Sequence, residues 1–366
     1  MLRQLLALRV FLTAATASLL LVTVTGCGKS ELAAESKPAS DPLIDELFED
    51  IARNAPESSE QRVIQPVSHE VRGKSTVPRE SGVLTLNVSP GDRFSLVRSV
   101  SQTLRQKVVP QAILAVNDLQ LSFELLVGQV TKDQISMSVI YRRVVYGHNI
   151  EGQLLNWDSA SGNAAPAAVA SYAAMLNNGF TIILGRDNRV KGVEDYNQFI
   201  DRCVDAAPDG LKEHVRGRMS QSSPAADVAD LVDTTIGLLP FHRAGTGDVK
   251  IAVGDQWTRE QSVGGGGARV RTSCSLKDLS PLTAEIVIRT RVSPAENQDA
   301  ASSVRITGGS GTGTCLIDCQ TGLPITSERT QSLSLVVPTA NGMLAEQEKL
   351  IRTTVRSRFE PAVLTN

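Results

Sequence analysis

From Leu119 to Val127 every odd position is apolar (Leu119, Leu121, Phe123, Leu125 and Val127), while Gln120, Ser122 and Glu124 between them are polar. A helix would scatter a period-2 pattern around its axis. Only an extended strand gathers it onto one face, so this stretch predicts a strand with one side on a core and the other in water. After the polar break Thr131-Lys-Asp-Gln134 the alternation resumes through Ile135, Met137, Val139 and Tyr141. Two such runs across a short polar link predict an antiparallel pair.

The chain has 366 residues, 41% of them hydrophobic, and a net charge of -2. That is enough for a sizeable core and, by length, for two domains. An aromatic content of 4% gives few rings for stacking on sugars or bases, and mild acidity leaves no electrostatic footprint for nucleic acid. No nucleic-acid partner is expected.

Residues 1–26 read as an export signal. Arg3 and Arg9 make a positive start, Val10 to Val24 is apolar but softened by Ala, Thr and Ser, and Val24-Thr-Gly26 leads directly into Cys27. The run is too polar for a good spanning helix. This arrangement resembles a bacterial lipobox. The resemblance implies cleavage before Cys27, acylation of that cysteine, and attachment to a bacterial membrane through lipid. Gly28 follows, where an Asp would favour the inner membrane, so the implied site is the outer membrane facing the periplasm.

Residues 27–90 read as a lipidated tether, polar and punctuated by Pro. A short amphipathic helix is expected behind Asp41-Pro42, with Leu43, Ile44, Leu47, Phe48 and Ile51 at helical spacing. An edge strand is expected at Val83 to Val88. A first β unit, 91–245, begins at Gly91-Asp-Arg-Phe94, and a fourth strand runs through His148 to Trp157. Ala165 to Asn178 reads as an Ala-rich helix stopped by Gly179. A hairpin over Phe180 to Val193 follows, then helices over Glu194 to Ala206, Leu211 to Met219 and Pro224 to Ile236. A second β unit, 246–366, repeats the grammar. Gly254-Asp-Gln-Trp257 echoes Gly91 to Phe94, Leu276 to Ile288 echoes Leu126 to Val139, and Gly313 to Ile325 echoes Gly179 to Val193. Asn341-Gly342 predicts a last hairpin, with Met343 to Phe359 as its second arm. The expected fold is therefore mainly β with a helical insertion (α+β): two related, curved antiparallel sheet units.

The lipobox, the two Gly-Asp-aromatic turns, Asn178-Gly-Phe180, Ile236-Gly-Leu-Leu-Pro240 and Asp318-Cys-Gln-Thr-Gly-Leu-Pro324 together resemble a family of bacterial secreted lipoproteins whose function is unknown. The likeness runs from about Gly91 to the C-terminus, and the Gly264 to Gly267 run departs from it. At the level of fold, a curved sheet with helices on one face resembles the half-barrels of periplasmic lipoprotein carriers.

Chemical signals are few. His69, His148, His214 and His242 have no partner at metal-ligand spacing, so no metal is expected. Gly308-Gly-Ser-Gly-Thr-Gly313 precedes a strand where a phosphate cradle would precede a helix, and it reads as a loop. Glu124 lies on a wet strand face, and Asp187 and Asp318 sit in turns, where Asp is a routine turn former. No catalytic or cofactor-binding residue stands out. With Cys27 set aside, Cys203, Cys274, Cys315 and Cys319 remain, an even number that allows three complete pairings. Cys315 and Cys319, if extended, lie roughly 13 Å apart, beyond the roughly 7 Å that a bridge spans unless a turn shortens it. Free buried thiols stay equally open.

The expected function is non-enzymatic: a membrane-anchored envelope lipoprotein that binds a hydrophobic ligand or an envelope protein partner, with no cofactor. The slim Ala165–Asn178 segment suggests a hollow beneath it for an acyl chain. An envelope hydrolase with a dispersed site and a purely structural lipoprotein are the alternatives.

Overall fold

The computed structural model describes residues 81–106, 114–150, 152–220, 232, 236–240, 250–263, 268–294, 305–338 and 344–360. Cys27 with its lipobox, the helix expected behind Asp41, most of Pro224 to Ile236, and Gly264 to Gly267 lie outside the described residues.

Fourteen strands are described: β1 Ser81–Val83, β2 Arg93–Gln106, β3 Leu114–Val130, β4 Gln134–Ile150, β5 Gln153–Asp158, β6 Gly179–Gly185, β7 Val190–Glu194, β8 Lys250–Ala252, β9 Gln256–Val263, β10 Ala268–Leu279, β11 Thr283–Pro294, β12 Arg305–Asp318, β13 Pro324–Pro338 and β14 Leu344–Glu360. Three α-helices accompany them, α1 Ala170–Ala174, α2 Tyr196–Ala206 and α3 Lys212–Ser220. All strands but β1 and β8 form one 12-stranded sheet in the order β7-β6-β4-β3-β2-β14-β13-β12-β11-β10-β9, with β5 paired to β4 beside that path. Every pairing in it is antiparallel. The mainly antiparallel β fold with few helices is as expected. The two stretches expected as separate units share this one sheet, because β14 pairs with β2 along Gln347–Glu360 and Arg93–Gln106.

The alternation read from Leu119 onward sets the inner face. Phe94, Leu96, Leu119, Phe123, Leu125, Met137, Val139, Ile286, Ile288, Cys315 and Ile317 are buried in one continuous core. The outward positions of β2 and β3 carry Ser95, Ser99, Ser101, Thr103, Gln120, Ser122 and Glu124. This polarity is the reverse of a transmembrane barrel, whose outward strand positions face lipid and are apolar.

Eleven strands laid flat at about 4.8 Å spacing would span roughly 48 Å, too wide for so few helices to cover. The sheet curls instead, and two local devices permit it. Irregular register steps interrupt the β3–β4, β10–β11 and β12–β13 pairs, and such bulges add local twist. The second device is the run Gly309, Gly311 and Gly313, which lies inside β12 and not in a loop as expected. A Cβ on these residues would stand 2.5, 2.9 and 2.3 Å from backbone oxygens of Ser332, Thr330 and Glu328 on β13. Glycine lets the two backbones approach that closely, which is a recognised use of Gly within a strand.

The two Gly-Asp turns have the same construction. The Asp92 carboxylate accepts from Ser89 N at 2.7 Å, and the Asp255 carboxylate accepts from Ala252 N at 2.7 Å. Gly91 N donates to Val127 O and Gly254 N to Leu276 O, both at 2.8 Å. Both glycines need a positive φ, 90° and 96°. The next turns match as well: Thr131 Oγ1 and Ser280 Oγ each accept from the residue three positions on, Gln134 N at 3.1 Å and Thr283 N at 2.9 Å. Strand order is also shared, β2-β3-β4-β6-β7 beside β9-β10-β11-β12-β13.

Other expectations are corrected. His148 to Trp157 is not one strand: Gly152, at φ 88°, turns the chain between the end of β4 at Ile150 and β5, which pairs back on it. The Ala-rich segment is helical only from Ala167 to Ala174, the first turn 3-10 and the rest α1, because Asn177 turns left-handed at φ 58° and ends it before Gly179. Asp195, also left-handed at φ 60°, delays α2 to Tyr196. The strand expected at Val83 to Val88 is confined to Ser81–Val83, paired with β8. Leu84, Leu86 and Val88 are buried nonetheless, since this segment straps the end of the sheet: Asn87 N donates to Thr321 O at 2.9 Å and Asn87 Nδ2 to Gln320 O at 3.1 Å.

Candidate functional site

The inner face divides into two parts along the strands. Near the Gly-Asp turns it is apolar and covered. Tyr141 and Phe180 meet Phe199 of α2 at ring distances of 6.1 and 5.3 Å, and Tyr146 stacks on Tyr172 of α1 at 5.7 Å. On the β9 side Trp257 Nε1 donates to Leu238 O at 3.0 Å, which draws the Ile236-Gly-Leu-Leu-Pro240 segment against the sheet. Ala170 and Ala174 are both buried in the core. The slim helix thus packs its small side chains into the core.

Beyond Val100, Leu119 and Tyr146 the character changes. One row across the sheet runs His148, Asn117, Gln102, Ile351, Gln331 and Gly311; the next runs Ile150, Ala115, Leu104, Lys349, Leu333 and Gly309. Leu104 and Ala115, with Ile150 against them, form a buried apolar cluster separate from the main core. Polar groups surround it. Asn117, Gln102 and Gln347 are 5%, 7% and 7% exposed, and Asn117 Oδ1 and Gln347 Oε1 have no hydrogen-bond partner among the described residues. An unmade bond on a buried carbonyl costs roughly 1–3 kcal/mol, so each such group calls for an explanation.

Lys349 stands between Leu104 and Leu333. Burial pushes its ammonium down from 10.5 to about 8. No inward position of β2, β3, β12, β13 or β14 holds Asp or Glu, and Glu346 and Glu348 flank Lys349 on the outward face. Arg98 and Arg329 also point inward, further toward the covered part, and make interactions of their own.

The expected cysteines are scattered. Cys203 is buried on α2, Cys274 and Cys315 are buried on β10 and β12 with β11 between them, and Cys319 lies in the β12–β13 turn with its Sγ 3.7 Å from Ser280 O. All four are free thiols. Burial pushes Cys203 and Cys315 up to about 12 and Cys274 up to about 11, which suppresses the reactive thiolate. His148 accepts or donates one contact, Tyr146 Oη at 3.3 Å, and burial lowers its pKa. Asp318 caps its own turn through Gln320 N and Thr321 Oγ1. Among the described residues no three His, Cys, Asp or Glu side chains gather as metal ligands, and no helix is long and apolar enough to cross a membrane.

Sequence reasoning missed Gln102, Asn117, Gln347 and Lys349. Their signal was present in the last hairpin arm, where Gln347 and Lys349 occupy alternate positions between Ala345 and Ile351. A strand whose inward positions are polar is the feature to look for.

The model of the Family of unknown function (DUF6263) matches residues 132–324, more than half of the chain. The chain belongs to that family. The family match takes in β4 to β12, whereas β2, β3, β13 and β14 lie at or beyond its ends. No curated protein matches. Among solved structures, one of lipovitellin with its lipid–protein interactions is 10% identical, with a TM-score of 0.42 over 76% of this chain and 26% of that one. The chain thus spans about a quarter of the lipovitellin chain's length. The COG4313 outer membrane channel from Pseudomonas putida F1 is 10% identical, with a TM-score of 0.18 over 75% of this chain and 98% of that one. A DUF1329 family protein from Desulfovibrio piger is 7% identical, with a TM-score of 0.11 over 75% and 87%.

Proposed function

We propose that this member of the family is a lipid-anchored bacterial envelope protein that binds a hydrophobic ligand on the inner face of its sheet and catalyses no reaction. The observation that carries the reading is the far part of that face. There an apolar cluster separate from the core adjoins buried amides whose oxygens have no partner among the described residues. A hydrophobic lining with a few placed polar groups is the usual make-up of a small-molecule site. Three of the free thiols, Cys203, Cys274 and Cys315, are buried and pushed toward the protonated form, and His148 and His214 join no cluster of metal-ligating side chains among the described residues, which supports binding without catalysis.

Two further parts belong to the same reading. The matching Gly-Asp turns and shared strand order support an internal duplication, in which β2 to β7 and β9 to β13 are two copies joined through β14. The lipobox at Cys27 supports anchoring at the outer membrane, with the folded part in the periplasm. Cell fractionation of Cys27→Ser tests the anchor. The variant should leave the membrane fraction or accumulate as an unlipidated precursor. A processed, acylated product that still sediments with membranes would rule the anchor out.

A further inference from the structure

Lys349 stands half-buried on the inner face of the sheet, in an apolar row. Its neighbours across the ladder, Leu104 and Leu333, are both apolar. The strands that could supply a counter-ion present none inward. Moving an ammonium out of water without a paired anion is costly, and proteins ordinarily avoid it. Two residues along the same strand, Gln347 leaves its side-chain oxygen without a partner among the described residues, as Asn117 does on β3. Either amide can rotate to present its NH2 group as a donor. Beside these groups β12 offers Gly309 and Gly311 at inward positions, where no side chain projects. To one side of Lys349 the inner face thus carries Leu333, whose side chain leans over Gly309, and to the other Leu104 and Ala115.

We propose that this part of the inner face holds an anionic amphiphile, a long apolar chain ending in a carboxylate or phosphate, with Lys349 paired to the head group. The inference rests on the ligand-binding reading above and adds the chemical class. Charge complementarity selects it. A neutral hydrocarbon would leave the ammonium unpaired in a drier site than before, while an anion completes it and lets the two amides donate to the same head. The chain then lies over Leu104, Ala115 and Leu333.

Binding of cis-parinaric acid, a fluorescent long-chain carboxylate, to the purified full-length Cys27→Ser protein tests this, with its methyl ester as the neutral comparator. The acid should bind more tightly than the ester. Lys349→Gln should weaken the acid by roughly ten- to a hundred-fold, the value of one charge-assisted hydrogen bond, and leave the ester within about two-fold. Lys349→Arg should retain most of the preference. Displacement of the bound acid by palmitate or by hexadecyl phosphate then shows which head group the site prefers. Equal binding of acid and ester, unchanged in Lys349→Gln, would overturn the anion pairing and keep the apolar site. Binding of neither molecule to the wild-type protein would overturn both.

Discussion

Phe123→Ala is expected to destabilise the protein by roughly 3–5 kcal/mol, the usual cost of a large aromatic removed from a core. Phe123 is 2% exposed, pairs across the ladder with Leu96 and Tyr141, and lies 6.1 Å from the Tyr141 ring. It also sits at a register step of the β3–β4 pair, so the cavity would open where the sheet bends. Glu124→Gln is the control one position away. Its carboxylate faces outward and meets Arg142 at 2.8 Å with the side chain 38% exposed. An exposed ion pair of this kind is worth at most about 1 kcal/mol. Urea unfolding of the two variants reads the contrast. Similar losses, or a larger one for Glu124→Gln, would mean that the core lies on the other face.

Lys349→Met is expected to stabilise the unliganded protein at pH 7, by at most about 3 kcal/mol because the half-buried ammonium keeps part of its water. The sign follows from the direction of the shift. The folded protein lowers this lysine to about 8 from its ordinary 10.5, so between those values the unfolded chain holds a proton that the folded one has shed. Stability contributed by the group therefore rises with pH through that window, and below about 8 the full penalty of the buried charge is present. Methionine removes the penalty and keeps most of the volume. The advantage of the variant should shrink steadily from pH 8 and vanish near pH 10.5. Arg98 and Arg329 are the other inward cations, on the neighbouring strands β2 and β13. Cys203, Cys274 and Cys315 are shifted upward, so they destabilise the fold as pH rises past 9, but equally in both proteins. The difference in denaturant midpoint against pH isolates Lys349. A Met variant no more stable than wild type, or a gain independent of pH, would contradict a desolvated ammonium. A residue that costs stability yet stays in place is what a binding site requires, and the trade between stability and function is general.

The strands were legible where the hydrophobic period was strict. Every odd position from Leu119 to Val127 and from Ile135 to Tyr141 is apolar, and these stretches form β3 and β4 with those positions inward. The Gly-Asp turns were legible because their chemistry is local, an Asp side chain satisfying a backbone N–H three residues back. What could not be read was non-local. Nothing near Arg93 indicates that its strand pairs with Glu360, far along the chain, so the single sheet was not apparent. The glycines of β12 were taken for a loop because glycine disfavours strands on propensity alone. Their reason lies in the close approach of β13, which propensity does not contain. The candidate site was hidden for a related cause. Gln347 and Lys349 look like the wet face of a strand, and only the curl of the sheet turns that face inward.

The occupant of the inner face is most directly tested in living cells with a diazirine amino acid placed genetically at Leu333, which faces inward beside Lys349, or at Ser334, which faces outward. After irradiation and proteolysis, mass spectrometry of the peptide from β13 identifies what each position touched. Position 333 should carry an adduct with the mass of an anionic lipid or fatty acid, and position 334 should carry none. An adduct-free peptide at 333, or the same lipid at both positions, would contradict a ligand held within the curled sheet.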